Sequence, residues 1–486
     1  MRKIILFILL LFINIWLSAY AQDENSVYLS LEEACEIALM NNFDIQIARF
    51  DAQFKGTDLD SARSIYDTFI SASAGLDKDK KKTSSSLLGT QAESRSYNFG
   101  ISQKLPTGTT LGLDFANQRS WTNSTFTEIN PAFDSSGKLS LKQELGKNFF
   151  GLKDRSDIKI TKIDIENAQY TSLDKIEQAL SIAQQTYWEV AQRLVQVEIR
   201  KGMLLKAEEL FGINEDKFKK GIIEKPQLIA SEANLRQKEI DLILAENELE
   251  FSMNKLKLLL NLDNPDTAVL PQETLGLFIE PQDLAQSLNS AFQNRRDFLK
   301  ARNEAESQKI KLVMQKNNLW PEINLEASVT RNGLNNHFTR AAREISSEDN
   351  PEYFLGLEIK FPLQNRQARS QFNKAKIEKA KALLNLKMTE RRILVEINDG
   401  VRNCQIAAQR AQKQENVVSL QEEKLDAELK NYEYGRSDTD TIIRYQDDLL
   451  LSRILYAQAL LDYKKALIEL ALKENVLLDR HWKDSL

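Results

Sequence analysis

The sequence predicts an α+β membrane protein: a long antiparallel coiled-coil helical barrel joined to a transmembrane β-barrel, with an internal twofold repeat. Three observations carry this. Short motifs recur at fixed offsets along the chain. Apolar seams of seven-residue period run through very long, polar helical segments. Between these segments lie alternating stretches of about the length that crosses a membrane as a tilted strand.

The composition fits long helices. The 486 residues contain only 17 Gly and 9 Pro, and 28% are charged; a loop-rich globule carries more turn residues. The chain starts "MRKIILFILLLFINIWLSAYAQ". Two basic residues, an apolar run and Ala19-Tyr20-Ala21 read as a secretory signal over 1–21; the alternative is a membrane anchor. Loss of Arg2 and Lys3 with it takes the net charge from −5 to −7, which argues against a nucleic-acid partner. No later stretch is long and apolar enough for a transmembrane helix. Cys35 and Cys404 make no disulfide framework. His337 and His481 have no metal-ligand spacing around them. No nucleotide or nucleophile motif is present, so neither an enzyme nor a cofactor is expected.

Helices are expected over 29–65, 153–220, 225–262, 281–318, 363–433 and 438–478. In 153–220 the residues Ile176, Leu180, Ala183, Tyr187, Val190, Leu194, Val197, Leu204, Phe211 and Phe218 follow a 4-3 spacing, interrupted only by Lys201, Glu208 and Glu215. That is the heptad of a left-handed coiled coil. Leu228, Leu235, Leu242, Leu249 and Leu256 continue the pattern after the turn, and Ile442, Leu449, Tyr456, Tyr463 and Leu470 match them later. These stripes are packing seams. A helix of about 68 residues is about 100 Å long.

Strands are expected at 68–77, 96–105, 110–118, 138–145, 322–332 and 353–361. Most alternate polar with small or apolar residues, and long polar loops (78–95, 119–137, 333–352) separate several of them. "LPTGTT" at 105–110 is the one tight connection. A soluble sheet explains the alternation but not long loops at one end. Strands in lipid must close, and four to six are too few to close alone. The chain must therefore pool strands with copies of itself.

The repeat is read directly. "ALMNNFDIQIA" (38–48) lies on "AFQNRRDFLKA" (291–301) at an offset of 253, and "FKKGIIEKPQLIASEANL" (218–235) lies on "YEYGRSDTDTIIRYQDDLL" (432–450) at 214, Gly221 on Gly435. The first copy thus carries about 39 residues more than the second. The expected organisation is a first repeat over 22–262, a Pro-containing linker over 263–280, a second repeat over 281–478 and a tail over 479–486. The hairpin 96–118 is the extra piece. It adds two strands to the wall or folds over as an outer loop.

The ordered set of the repeat, "ALMNN", "LWPEINLEAS", "FPLQNRQAR" and the paired Gly turns resembles the TolC-like outer-membrane efflux protein family over about 29–478. The resemblance implies a homotrimer in outer-membrane lipid, with its helical tube in the periplasm. It implies docking on a periplasmic adaptor protein and an inner-membrane pump of RND or ABC type. It makes Gly221, Ile222, Ile223, Gly435, Arg436 and Ser437 adaptor-docking tip residues and puts Tyr432 at a gate. Family members carry aspartates six and nine residues after the second Gly. Here those positions are Thr441 and Arg444, and six after the first Gly is Gln227. Acid stands instead at Asp438, Asp440, Asp447 and Asp448. Either the ring has moved or this gate lacks one; for Asp438 and Asp440 the simpler reading is a helix N-terminus, where carboxylates are favoured. The implied function is a passive exit duct for tripartite efflux or type I secretion. The alternatives are a periplasmic coiled-coil structural or adhesive protein and a stand-alone porin.

Overall fold

The computed structural model of the protein describes residues 26–80, 89–262, 268–347 and 350–481. The signal segment 1–21 lies outside them, as do Lys81, Lys82 and most of the tail. The chain forms two compact units. One comprises residues 52–169 and 300–388; the other comprises the described residues up to 51, 170–299 and from 389 onward.

The first of these units is built on one six-stranded antiparallel sheet of order β2-β3-β4-β5-β7-β8. Its strands are β2 (Thr68–Asp79), β3 (Ala92–Lys104), β4 (Thr109–Thr122), β5 (Ala132–Glu144), β7 (Glu322–Asn335) and β8 (Pro351–Lys360). All six expected strands are present, several longer than expected. The 96–118 hairpin is not an outer loop: β3 pairs with β2 from Ala92 to Gln103, and β4 pairs with β5 from Thr109 to Ser120. The register sorts the side chains cleanly. In one row Ala72, Phe99, Phe115 and Gly137 are neighbours, and in another Leu113, Leu139, Val329 and Tyr353. Because side chains alternate along a strand, Ile70, Ile101, Leu111, Leu141, Leu355 and Ile359 share that face. The opposite face carries Ser71, Asn98, Asp114, Lys138, Lys142, Glu326 and Glu358. It also carries glycines where strands crowd; a Cβ on Gly112 would stand 2.5 Å from Ser140 Oγ.

Long connections leave this sheet at one end and the tight Leu105–Gly108 turn at the other, where Gly108 N donates to Leu105 O at 2.9 Å. The region 333–352, read as loop, contains a helix, Phe338–Ser347. Its Phe338, Ala341 and Ile345 fall on one helical side, and a four-residue step of that kind places side chains on a common face.

The other unit is helical. The expected helix 29–65 is three, α1 (Leu31–Asn41), α2 (Phe43–Gly56) and α3 (Asp58–Arg63), the last lying within the sheet unit. Ser30 opens α1 with a capping box to Glu33. The break at Asn42 is functional in packing: its Oδ1 accepts from Asp44 N (2.9 Å) and Ile45 N (3.2 Å), while Nδ2 donates to Leu259 O. The long helices are α4 (Leu152–Lys219) and α5 (Lys225–Leu260). The linker holds a strand the sequence did not reveal, β6 (Ala268–Pro271), parallel to β1 (Ser26–Leu29). The expected helix 281–318 is two, α6 (Leu284–Asn294) and α7 (Arg296–Asn317), and with Phe338–Ser347 as α8 the chain ends in α9 (Arg366–Glu433), α10 (Thr439–Glu474) and α11 (Leu477–His481).

The twofold repeat is visible in the backbone. Asn42 and Arg295, related by the offset of 253, break their helices with φ/ψ of −62/127 and −63/116. Asn261 and Asn475, related by 214, cap α5 and α10 in the left-handed conformation, φ 47 and 54.

The core of the helical unit gathers Ile176, Leu180, Tyr187 and Val190 of α4 with Ile45, Leu256 and Leu460. Its buried polar centre is Glu177, which is 0% exposed. Arg296 sits 2.9 Å from it, and Asn475 Nδ2 donates to it at 2.7 Å. A buried carboxylate needs such partners. Asp297 of the repeat motif pairs with Arg295 (2.8 Å) and Arg392 (3.0 Å). Burial opposes its charge, but these guanidinium contacts hold its carboxyl below the usual range.

The seam of α4 differs from the heptad reading in its second half. Ile176, Leu180, Ala183, Tyr187, Val190 and Val197 are buried as expected and Leu194 is half-buried, but Met203, Ala207, Leu210 and Asn214 then replace Leu204, Phe211 and Phe218. A helix of 3.6 residues per turn drifts about 20° per heptad against a 3.5 repeat. Over the five heptads from Ile176 to Phe211 that drift is about 100° and would carry the line one residue later, to Gly212, whereas the buried line moves one residue earlier, to Leu210.

Candidate functional site

The two turns are built alike. Gly221 and Gly435 have φ of 68 and 69. Gly221 N donates to Phe218 O (2.9 Å) and Ile222 N to Lys217 O (2.9 Å); Gly435 N donates to Tyr432 O (3.2 Å) and Arg436 N to Asn431 O (2.8 Å). Each is a helix C-terminus closed by two crossed bonds, for which glycine past the end is the usual solution. Nothing lies within 4 Å of a Cβ added at either position. The glycines are needed for the backbone conformation, not for space.

The tips present Ile222 at 66% and Tyr434 at 76% exposure, with Gly221, Gly435 and Arg436 also exposed. Ile223 and Ser437 are half-buried. The Arg436 guanidinium stands 6.0 Å from the Tyr434 ring.

Tyr432 does not share this exposure. It is buried, and its hydroxyl donates to Asn214 Oδ1 and lies 3.1 Å from Thr439 Oγ1. Asn214 Nδ2 donates to Thr439 at 3.2 Å. Lys217 Nζ reaches the Tyr432 carbonyl (3.0 Å) and lies 3.6 Å from its ring centroid. Burial pulls the Lys217 pKa down. This cluster ties the end of α4 to both arms of the second turn, over an apolar base of Met203, Leu210, Leu425, Ile442 and Leu449. Phe218, the repeat mate of Tyr432, is 39% exposed.

The acids take separate places. Asp438 is the N-cap of α10, its carboxylate accepting from Thr441 N at 2.7 Å. That bond holds its pKa low, and the simpler reading of Asp438 is the observed one. Asp440 and Arg444 are exposed, Thr441 and Gln227 half-buried. Asp447 pairs with Lys238, whose side chain is only 7% exposed. Asp448 pairs with Lys424 at 2.8 Å, and Lys424 also lies 3.7 Å from the Tyr445 ring. Two of the four acids are thus engaged by lysines of other helices. Asn214, Lys217, Lys238 and Lys424 were not singled out in the sequence. No signal in the expected seam marked them, since Asn214 lies one residue off it, beside Glu215.

Among the described residues no helix is long and apolar enough to cross a membrane, and no group of His, Cys, Asp and Glu could hold a metal ion.

Residues 287–472 match the family model described as outer membrane efflux protein. The match falls within the expected second repeat, 281–478. No match was found among curated protein sequences. Solved structures share the fold over nearly the whole chain. The CmeC outer membrane channel of Campylobacter jejuni is 14% identical, with a TM-score of 0.65, covering 94% of this chain and 90% of that one. VceC of Vibrio cholerae is 16% identical, with a TM-score of 0.67 and coverage of 92% and 96%. The open-state MtrE channel of Neisseria gonorrhoeae is 13% identical, with a TM-score of 0.66 and coverage of 93% and 94%. At such identities the likeness is one of fold, and it agrees with the family read from the sequence.

Proposed function

We propose that this protein is the outer-membrane exit duct of a tripartite efflux or type I secretion system. It conducts passively; the energy comes from an inner-membrane pump reached through a periplasmic adaptor. The observation that carries the proposal is the two-faced sheet. One face is apolar across all six strands and the other is lined with serines and charges, which is the wall of a water-filled pore in lipid. The edges β2 and β8 have no strand beside them among the described residues, and an open edge is not tolerated in lipid. The neighbour is then a further copy of the chain. Helix faces support this: α2 exposes Phe43, Ile47, Phe50 and Phe54 at 4-3-4 spacing, between 56% and 76% each. With the homotrimer of the family, six strands per chain give about eighteen around the pore, against a usual even count from 8 upward.

In this reading Ile222, Tyr434 and Arg436 are adaptor contacts. The Tyr432–Asn214–Lys217–Thr439 cluster is the latch of the gate, and an acidic ring is not its principle. The test is single-channel recording of the purified protein in planar bilayers, paired with growth of a deletion strain on bile salts or dyes. Stepwise conductance, raised by Tyr432→Phe, together with hypersensitivity of the strain is the expected result. An electrically silent protein and an indifferent strain would dismiss the duct in favour of a periplasmic scaffold.

A further inference from the structure

Resting on the outer-membrane reading above, we infer that the sheet carries a binding site for an anionic, phosphate-bearing lipid of the outer leaflet. Its acyl chain lies in an aromatic cleft and its headgroup on a ring of cations.

The cleft is on the apolar face, near the end with the long connections. It has a volume of about 410 Å³ and is lined by Tyr97, Phe99, Phe115 and Phe133 of three strands and by Phe338 of α8. Helix α8 forms one wall because it lies on this face. A Cβ on Gly137 would stand 3.4 Å from Ile345, and one on Gly333 would meet Ala341 O at 2.2 Å. Gly333 is therefore the close-approach point, and Glu344 fixes the helix there by accepting from Leu334 N (2.9 Å) and Asn335 Nδ2 (2.7 Å). The two polar residues at the cleft are engaged internally, Asn117 Nδ2 donating to Ser135 Oγ at 2.5 Å and Asn98 Nδ2 to Ser73 Oγ at 3.2 Å. The cleft is thus left apolar and open to the lipid side.

Directly beyond its outer rim the same face turns basic. Arg119 is the cross-strand partner of Phe133, and Arg95 is the partner of Arg119. Lys78 follows two residues after Leu76, the partner of Arg95 on β2. All three cations converge on one carboxylate, Glu93, at 2.7 Å for Arg95, 3.4 Å for Lys78 and 3.7 Å for Arg119. Three positive charges against one negative leave an excess of two. Helix α8 adds Arg340 and Arg343, both exposed. A surplus of fixed cations at the boundary of an apolar belt is matched by phosphate headgroups, and aromatic rings suit the interface just below them. A protein partner would not need the cleft, and free phosphate would not need the aromatics. The occupant that uses both halves is an acylated phosphate lipid.

The test uses Trp121, which is 37% exposed and is the cross-strand partner of Glu93. The full-length protein is reconstituted in phosphatidylcholine vesicles containing equal fractions of either dibrominated phosphatidic acid or dibrominated phosphatidylcholine. Bromine quenches nearby indoles, and subtraction of a Trp121→Phe sample isolates the Trp121 signal. The expected result is that Trp121 selects the brominated phosphatidic acid by on the order of tenfold, the scale set by two unneutralised charges. The triple variant Lys78→Gln, Arg95→Gln, Arg119→Gln should lose the preference, while Arg95→Lys with Arg119→Lys should keep it. A Leu355→Trp reporter in the middle of the apolar band serves as the internal reference. If that reporter is quenched but Trp121 shows no headgroup preference, or if the triple variant keeps the preference, the lipid site is overturned and the channel stands. If the Leu355→Trp reporter is quenched by neither lipid, the sheet does not face lipid, and the channel reading fails together with this one.

Discussion

Single residues set the two turns. Gly435 sits at φ 69 with nothing near its missing Cβ, so Gly435→Ala meets no clash and only the left-handed penalty, about 1–2 kcal/mol. Gly202 also has open space around its missing Cβ but lies inside α4. Gly202→Ala should therefore stabilise by about 0.5–1 kcal/mol. Opposite shifts of the thermal unfolding midpoint for the two variants would bear this out; a shift of the same sign would mean the turn tolerates Cβ by rearranging. The glycines were legible because a repeat at fixed offset marks them twice and one backbone requirement explains both. The Tyr432 cluster was not. Asn214 and Lys217 act through partners more than 200 residues away, such as Thr439 and Tyr432, and no local pattern announces such a pairing. Asp447 and Asp448 read as free acid for the same reason, since Lys238 and Lys424 come from other helices.

At the scale of elements, the long helices were readable nearly to the residue, because an uninterrupted polar–apolar period over tens of positions has no competing reading. Their interruptions were not. Asn42 and Arg295 are ordinary helix residues by type, and only their contacts, such as Asn42 with Leu259, stop the helix. The strand Ala268–Pro271 is too short for a pattern. Helix α8 was hidden by the charge of its outward side. The displacement of the α4 seam has a direct test. Met203 is 1% exposed and Phe218 is 39% exposed. Met203→Ala should cost about 2–5 kcal/mol, the range for a truncated core methionine, and Phe218→Ala distinctly less. Equal losses by thermal or denaturant unfolding in detergent would restore the strict heptad.

For the whole molecule, the sequence reading expects copies of the chain and leaves the strand count open between two values, since a hairpin with the right alternation can lie in a wall or over it. The hydrogen-bonded register of β3 and β4 on both their sides favours the wall. End-on class averages of the detergent-solubilised protein should show about eighteen strands around the pore, six from each of three copies. A ring of about twelve would mean that the hairpin leaves the wall on assembly, and the cleft beneath Phe338 would go with it.

The hairpin also obeys a rule of parity. In an antiparallel sheet each added strand reverses the direction of everything after it. In the duct proposed above, one extra strand after β2 would have sent β5 outward and delivered α4 to the wrong side of the membrane. Two extra strands leave every later direction unchanged, and they leave β2 and β8 as the outermost strands. A duct of this design can therefore change its bore only in steps of two strands per chain. When it does, neither the joints between copies nor the helices beyond the membrane need to be invented again.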